Sequence, residues 1–198
     1  MSGEQGTSLS QEPHPRSVDR HRRAARARLS FAVFVVSSSR YEARSKGEEI
    51  EDASGDLAVR LISSAGHEVK VRDILPDSIE RIRSALESAR SRVDVVLFIG
   101  GSGLHPQDVT VEAVRPLFSK ELPGFGELFR FLSYDQIGPA AILSRATAGA
   151  VGGVVVFCIP GSPDAVRLAL EKLILPEVEH TVWVARGYRH ARSHGGGW

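Results

Sequence analysis

Cysteine is almost absent from this 198-residue chain, which holds only Cys158. No intramolecular disulfide is possible, and a lone cysteine inside the apolar run VVVFCI is more typical of core packing than of a nucleophile. This usage predicts a reducing compartment, the cytoplasm. No apolar run approaches the roughly 20 residues that cross a membrane. The basic stretch before residues 31–36 resembles a signal peptide, but that apolar run is shorter than the ~7–15 residues of a hydrophobic signal region, so we predict a buried first strand.

Several sequence signatures of function are also missing. Apart from His190 and His194 in the glycine-ended tail, the seven histidines form no H-x-x-x-H pair, and there is no Cys/His cluster, so zinc chemistry is not predicted. There is no Walker A motif and no G-x-S-x-G nucleophile elbow, and Pro106 stands where a dinucleotide fingerprint needs its third glycine. The net charge is +1, and the first 30 residues carry six arginines against three acidic residues. Charge concentrated in a tail is not typical of a nucleic-acid-binding face.

The chain divides by composition into a tail, one domain and a second tail. Residues 1–29 are polar and arginine-rich with few large apolar side chains, which predicts a disordered basic segment. Residues 30–186 have the length and apolar content of a single domain. The glycine-ended segment 187–198 is predicted to be flexible.

Alternating strand and helix patterns predict the fold class. Residues 31–36, 93–99 and 154–159 are apolar on both faces, as in buried strands of a parallel sheet. HEVKVRD (67–73) alternates and is predicted to lie near an edge. Helical stripes cover residues 57–65, 79–89 and 165–173. We therefore predict an α/β, doubly wound, mostly parallel sheet with helices on both faces, a three-layer single domain.

In such a sheet, ligands bind outside the carboxyl ends of the strands, which directs attention to the loops there. Gly100-Gly101-Ser102-Gly103 is either a phosphate cradle or a plain turn. Asp108 follows it, as a helix cap or as a carboxylate for Mg²⁺. Asp77 has the same two alternatives, since it can cap a helix or face the site. Pro160-Gly161-Ser162-Pro163 is a second turn suited to an anion, which favours a ligand with more than one phosphate, with two ordinary strand-to-helix turns as the alternative.

The segment that follows the first strand is long, polar and charged, which predicts a surface loop or lid. It spans SSSRYEARSKGEEIEDASG, residues 37–55. It offers Ser37 or Ser39 as phosphate donors and Asp52 as a further carboxylate.

Together these motifs resemble the MogA/MoaB family of molybdenum cofactor biosynthesis proteins. They are GGSG-x4-DVT-x-EA, LPGFGELFR (122–130), AILSRATAG (141–149) and IPGSPDAV (159–166), in the order the family has them. The similarity runs from about residue 31 to 180, and residues 39–55 resemble the MoaB branch.

The resemblance implies a molybdopterin adenylyltransferase, which transfers AMP from Mg-ATP to the molybdopterin phosphate and releases pyrophosphate. It implies Asp108 and Asp77 as catalytic, Mg²⁺-binding carboxylates, and Gly100 to Gly103 as a phosphate cradle. Ser144 and Ser162 would surround the pterin and its phosphate, and Gly161 and Ser37 complete the expected phosphate-binding set. Glu127 matches an acidic residue of the family.

The resemblance also implies a homotrimer or hexamer, with a molybdenum-insertion protein as a possible partner. No nucleic acid or membrane partner is expected. Gln107 stands where the family usually has an arginine. A molybdopterin-binding protein without transferase activity therefore remains the alternative.

Overall fold

The computed structural model describes residues 27–187 and contains one six-stranded sheet. The strands are β1 (Ser30–Val36), β2 (Glu68–Leu75), β3 (Val95–Ile99), β4 (Lys120–Glu121), β5 (Thr147–Val151) and β6 (Val154–Ile159). Their spatial order is β2-β1-β3-β6-β5-β4. The first four strands in that order are mutually parallel, and β5 runs antiparallel to both β6 and β4.

Seven α-helices connect these strands within residues 27–187. They are α1 (Ser38–Ser45), α2 (Ala53–Ser64), α3 (Ile79–Arg90), α4 (Thr110–Val114), α5 (Pro123–Ile137), α6 (Pro163–Leu168) and α7 (Leu175–Ala185). Short 3₁₀ helices cover Arg115–Leu117 and Gly138–Leu143, and a π-helical segment, Ala169–Ile174, joins α6 to α7.

Helices cover both faces of the sheet, which explains why β1, β3 and β6 are apolar throughout. On one face, Phe31, Leu97 and Phe157 pack with buried side chains from α2, α5, α6 and α7. On the other, Phe34 and Phe98 pack with buried side chains from α3 and α4. The predicted three-layer, mostly parallel α/β domain is confirmed, as are the edge position of β2 and the full burial of Cys158.

The structure departs from the sequence prediction in five segments. The predicted loop after β1 contains α1, whose residues are all at least partly exposed, so it has no apolar stripe to reveal it. Three elements were not predicted: α5, the short β4, and β5, whose small residues lack the signature of a strand. The predicted helix over 165–173 breaks into α6 and the π segment and then continues to Ala185.

Most of the two predicted tails lies outside the described residues. At the described boundary, Leu29 belongs to the core although the sequence assigns it to the tail, because its side chain is buried beside β1. Among residues 27–187, no helix combines the length and the apolar character needed to cross a bilayer.

Candidate phosphate-binding and catalytic site

The strand order reverses between β1 and β3, and the GGSG loop lies at that point. Chain order places β2 on one side of β1 and β3 on the other, so a crevice opens at the carboxyl ends of β1 and β3. Gly100 and Gly101 have φ values of +100° and +59°. A Cβ at Gly100 would lie 2.5 Å from the Val36 carbonyl oxygen, so the loop packs directly against the end of β1. Glycine is required there for both conformation and space.

The carbonyl groups of this loop are held by hydrogen bonds from outside it. The Thr110 N–H donates to Gly101 O at 2.8 Å, and the Thr110 hydroxyl donates to Gly100 O at 2.9 Å. The Arg145 guanidinium donates to Gly103 O at 3.1 Å. These three carbonyls therefore cannot turn freely.

The fixed carbonyls leave the opposite side of each peptide unit as a donor. In a trans peptide, the C=O and the next N–H point in opposite directions. The N–H groups of Gly101, Ser102 and Leu104 therefore point away from Thr110 and Arg145. Within residues 27–187 they have no hydrogen-bond acceptor. Several adjacent unpaired N–H groups are what an anion-binding nest offers.

The second glycine turn lies against the first. A Cβ at Gly161 would lie 3.3 Å from Gly100 Cα, and Gly100 N–H donates to Ile159 O at 3.0 Å. The buried Ser54 hydroxyl donates to Gly161 O at 2.7 Å and fixes that peptide unit too. Ser162 caps α6, since its Oγ accepts from Ala165 N–H at 3.3 Å. The two turns that the sequence predicts separately form one continuous surface.

The predicted carboxylates lie one beside each half of the GGSG loop. Oδ1 of Asp77 is 2.8 Å from where a Cβ would stand on Gly101, and Oδ2 of Asp108 is 2.7 Å from the equivalent point on Gly103. Oδ2 of Asp77 accepts from the Ser38 N–H and hydroxyl, at 2.9 and 2.8 Å. Oδ2 of Asp108 accepts from His105 N–H at 3.1 Å.

Neither carboxylate caps the helix that follows it. The N-cap of α4 is Val109, which makes no side-chain hydrogen bond, and α3 is capped by Ser78. The capping alternative for Asp108 and Asp77 is therefore wrong. Both side chains instead turn back toward the glycine loop.

Two polar residues of the segment after β1 serve the scaffold. Ser37 caps α1 by accepting from Arg40 N–H, although it follows β1 directly and lies next to the crevice. Asp52 caps α2 through Gly55 N–H at 3.0 Å and pairs with Arg72 at 2.7 Å. The hydrogen bond that the Arg72 guanidinium donates to Asp52 raises the pKa of Arg72. The expectation that Asp52 is a site carboxylate is wrong.

Ser144 lies in a cleft of about 360 Å³ beside the glycine loop. The cleft is lined by polar and charged side chains, among them Arg115, Glu121, Glu127, Arg130, Ser144 and Arg145. Arg145 belongs to the cleft and also reaches Gly103 O, so the cleft and the phosphate loop share a wall.

The residues present fit a magnesium ion carried by a phosphate ligand. Residues 27–187 contain no cluster of three or more His, Cys, Asp or Glu side chains that could hold a metal. Mg²⁺, however, usually takes only one or two protein carboxylates and completes its shell with phosphates and water. Asp77 and Asp108 offer that donor set, and within the described residues Oδ1 of each has no hydrogen-bond donor.

Three residues of the site were missed at the level of sequence. Thr110 lies within DVT and Arg145 within LSRA, but neither is among the site residues predicted from the sequence. Their neighbours in the motifs could have drawn attention to both. Ser54 reaches Gly161 across 107 residues of chain, and no local pattern marks it.

These features define a class, a three-layer α/β domain whose glycine turns meet at the carboxyl edge of a mostly parallel sheet. The family model described as "Probable molybdopterin binding domain" matches residues 32–180. The chain belongs to this family of molybdenum cofactor biosynthesis proteins, in its MoaB branch.

Similarity to three proteins and structures supports that assignment. "Molybdenum cofactor biosynthesis protein B" of Bacillus subtilis is 44% identical over 169 residues, 84% of this chain and 95% of that protein. A Pyrococcus furiosus protein named "Molybdopterin adenylyltransferase" is 41% identical over 173 residues, 85% of this chain and 98% of that one. The crystal structure of the "tungsten cofactor synthesizing protein MoaB" from Pyrococcus furiosus superposes with a TM-score of 0.71 at 42% identity, covering 80% and 98% of the two chains.

Proposed function

We propose that the protein transfers AMP from Mg-ATP to the terminal phosphate of molybdopterin, giving adenylyl-molybdopterin and pyrophosphate. The main support for this proposal is the set of fixed peptide units in the GGSG loop. Their N–H groups have no acceptor within residues 27–187. A donor array of this kind suits phosphate oxygens. The name of the Pyrococcus furiosus relative supports the same reaction.

The proposal assigns the phosphates to the glycine turns and the pterin to the cleft. Gly161 and Gly100 are in contact, so the two turns can hold neighbouring phosphates. The cleft that contains Ser144 offers carboxylates for the amino and amide N–H groups of a pterin and guanidinium groups for its carbonyl and phosphate. Glu127 is one of those carboxylates.

The reaction is a displacement at the α-phosphorus of ATP. A phosphate oxygen of molybdopterin forms the new P–O bond, the bond to the bridging α–β oxygen breaks, and pyrophosphate leaves with that electron pair. Such a transfer needs mainly positioning and neutralisation of charge. The loop N–H groups hold the phosphate oxygens, and the fixed carbonyls keep those donors in place.

Asp108 and Asp77 would hold the magnesium ion that accompanies ATP, and that ion would supply positive charge to offset the charge of the pyrophosphate. An uncompensated carboxylate beside a polyphosphate would repel it. Asp77 retains a free Oδ1 toward Gly101 while its Oδ2 is fixed by Ser38. ATP is a cytoplasmic substrate, so the proposal places the protein in the cytoplasm, where a molybdenum-insertion protein would take up the product.

Pyrophosphate release from ATP, measured with and without molybdopterin, tests the proposal. Release that depends on molybdopterin is expected. Tight molybdopterin binding without release would instead favour the binding-only alternative raised by Gln107. Hydrolysis of ADP-ribose without any pterin would indicate a nucleotide pyrophosphohydrolase.

The proposal includes a homotrimer or a dimer of trimers. It is supported by an exposed apolar surface formed by α5 and the 3₁₀ helix after it, Leu128, Phe131, Tyr134, Ile137, Ile142 and Leu143. Phe131 is 69% exposed and Ile142 75%, and apolar groups in such number on one surface typically mark an interface. Light scattering should give three or six chains, and Phe131→Glu should give monomers. A monomeric wild-type protein would contradict this part of the proposal.

A further inference from the structure

We propose that Arg145 is a positioning residue, which orients the Gly103–Leu104 peptide so that its N–H faces the bound phosphate. This inference rests on the proposed function, because it assigns the residue that keeps the phosphate loop in its binding conformation. Arg145 acts through the backbone of the loop.

Arg145 joins three segments that are distant in sequence. It follows the 3₁₀ helix before β5, donates to Gly103 O at 3.1 Å, and forms an ion pair with Glu112 on α4. Thr110 holds the carbonyls of Gly100 and Gly101 from the first residue of α4. Arg145 therefore completes, at the far end of the loop, what Thr110 does at the near end.

The Gly103 peptide depends on this contact more than an ordinary peptide would. Glycine has no Cβ to restrict its backbone, so a free Gly103–Leu104 unit can rotate at little cost. Within residues 27–187, Gly103 O has no other hydrogen-bond donor. Once the guanidinium is removed, no other hydrogen bond from the described residues fixes the orientation of the Leu104 N–H.

The ion pair with Glu112 makes it possible to distinguish two roles of Arg145, orienting the peptide and attracting phosphate by charge. The Glu112 carboxylate compensates the guanidinium, so Arg145 adds little net positive charge to the site. If Arg145 attracted phosphate by charge, removing both partners together would restore binding. If it orients a peptide unit, removing both partners leaves binding weak.

The test measures the dissociation constant of inorganic pyrophosphate by calorimetry for six proteins. They are the wild type, Arg145→Gln, Glu112→Gln, the double variant Arg145→Gln/Glu112→Gln, Arg145→Lys and Arg90→Gln. Arg90→Gln is the matched control, because Arg90 also pairs with a glutamate, Glu87, but lies at the opposite edge of the sheet. Circular dichroism and Tm establish that each variant is folded.

Arg145→Gln is expected to weaken pyrophosphate binding about tenfold, the effect of one lost hydrogen bond to a charged group. The double variant should be equally weak, Arg145→Lys should recover part of the affinity, and Glu112→Gln and Arg90→Gln should stay within about twofold of the wild type. In the transferase assay, KM for ATP should rise more than kcat falls in Arg145→Gln.

Two results would overturn the inference and leave the proposed function standing: unchanged binding in folded Arg145→Gln, or full recovery in the double variant. A wild-type protein that binds no pyrophosphate would overturn the phosphate loop itself. If Arg145→Gln does not fold, Arg145→Lys decides, because it should bind more weakly than the wild type.

Discussion

The two ends of the parallel strands differ in whether their polar groups have hydrogen-bond partners within the protein. At the amino edge, Asp94 accepts from the Ser30 N–H and hydroxyl, at 2.6 and 2.7 Å, and from Arg186. At the carboxyl edge, the N–H groups of Gly101, Ser102 and Leu104 have no acceptor within residues 27–187. One edge satisfies its own polar groups, and the other leaves donors for a ligand.

This difference separates stability from binding. Hydrogen bonds that close on themselves contribute to folding, whereas unpaired donors on a fixed backbone contribute when a ligand arrives. Substitutions at the amino edge should therefore lower the free energy of unfolding and leave phosphate binding intact. Substitutions at the carboxyl edge should affect binding and activity first.

The largest effect is expected for Asp108→Asn, which removes the charge of a proposed magnesium ligand. Molybdopterin binding should be retained, and adenylyl transfer should fall about 1000-fold, since such an ion supplies several kcal/mol of transition-state stabilisation. Molybdopterin titration checks that binding is retained, and steady-state kinetics measure the loss of adenylyl transfer. Normal ATP turnover would end the metal-ligand role of Asp108.

Gly101→Ala should reduce pyrophosphate affinity about 100-fold, because its Cβ would stand 2.5 Å from Thr110 Oγ1 and 2.8 Å from Asp77 Oδ1. The added methyl group must displace a side chain that shapes the loop. Gly66→Ala is the control, since Gly66 also has a positive φ, +89°, but nothing lies within 4 Å of its Cβ. It should lose about 1–2 kcal/mol of stability with unchanged pyrophosphate binding. Equal pyrophosphate affinity in Gly101→Ala and Gly66→Ala would contradict the assignment of the GGSG loop as the phosphate-binding site.

Asp94→Ala should lower the free energy of unfolding by about 2–3 kcal/mol, because the Ser30 and Arg186 donors lose their acceptor. Burial raises the pKa of Asp94, but the hydrogen bonds from Ser30 and the charge of Arg186 outweigh burial and lower it. The carboxylate therefore stabilises the protein above the unfolded pKa of about 3.9, and this contribution is lost as pH falls through the lower folded pKa. Urea unfolding at pH 7 and pH 3, with pyrophosphate titration at pH 7, measures this. Weakened pyrophosphate binding by Asp94→Ala would contradict the assignment of the amino edge to stability alone.

The smallest effect concerns His67, whose buried Nδ1 accepts from Leu29 N–H at 3.3 Å. Burial lowers the pKa of His67, and the charge of Glu179 opposes this only in part. The neutral ring is favoured in the folded state, so its contribution is complete above about pH 6.5 and declines as pH falls toward the folded pKa. Tm should therefore decrease from pH 7 to pH 5, and His67→Asn, which keeps an acceptor but does not titrate, should flatten that decrease. An identical pH dependence in both proteins would exclude His67 as its source.

The sequence predicts best the elements whose side chains face one environment. The strands β1, β3 and β6 are apolar on both faces because helices cover both, and this pattern is visible in the residues alone. The GGSG and PGSP turns are visible for a similar reason, since glycine is needed where backbones approach closely.

What the sequence does not predict depends on tertiary contacts. The polar α1 lacks a buried stripe and is held by its cap and by Asp77. The hydrogen bonds from Arg145 to Gly103 and from Ser54 to Gly161 join residues far apart in the chain. In the sequence, Asp52 has the features of a site carboxylate, and its ion pair with Arg72 becomes visible only in the folded structure.

The most direct test of adenylyl transfer follows the α-phosphate of ATP. The wild-type protein is incubated with magnesium, molybdopterin and ATP labelled at the α-phosphorus, and the pterin product is isolated. The proposed reaction predicts label on molybdopterin in an amount equal to the pyrophosphate released, and labelling about 1000-fold slower with Asp108→Asn. Bound molybdopterin that never acquires the label would contradict the transferase and leave a binding protein.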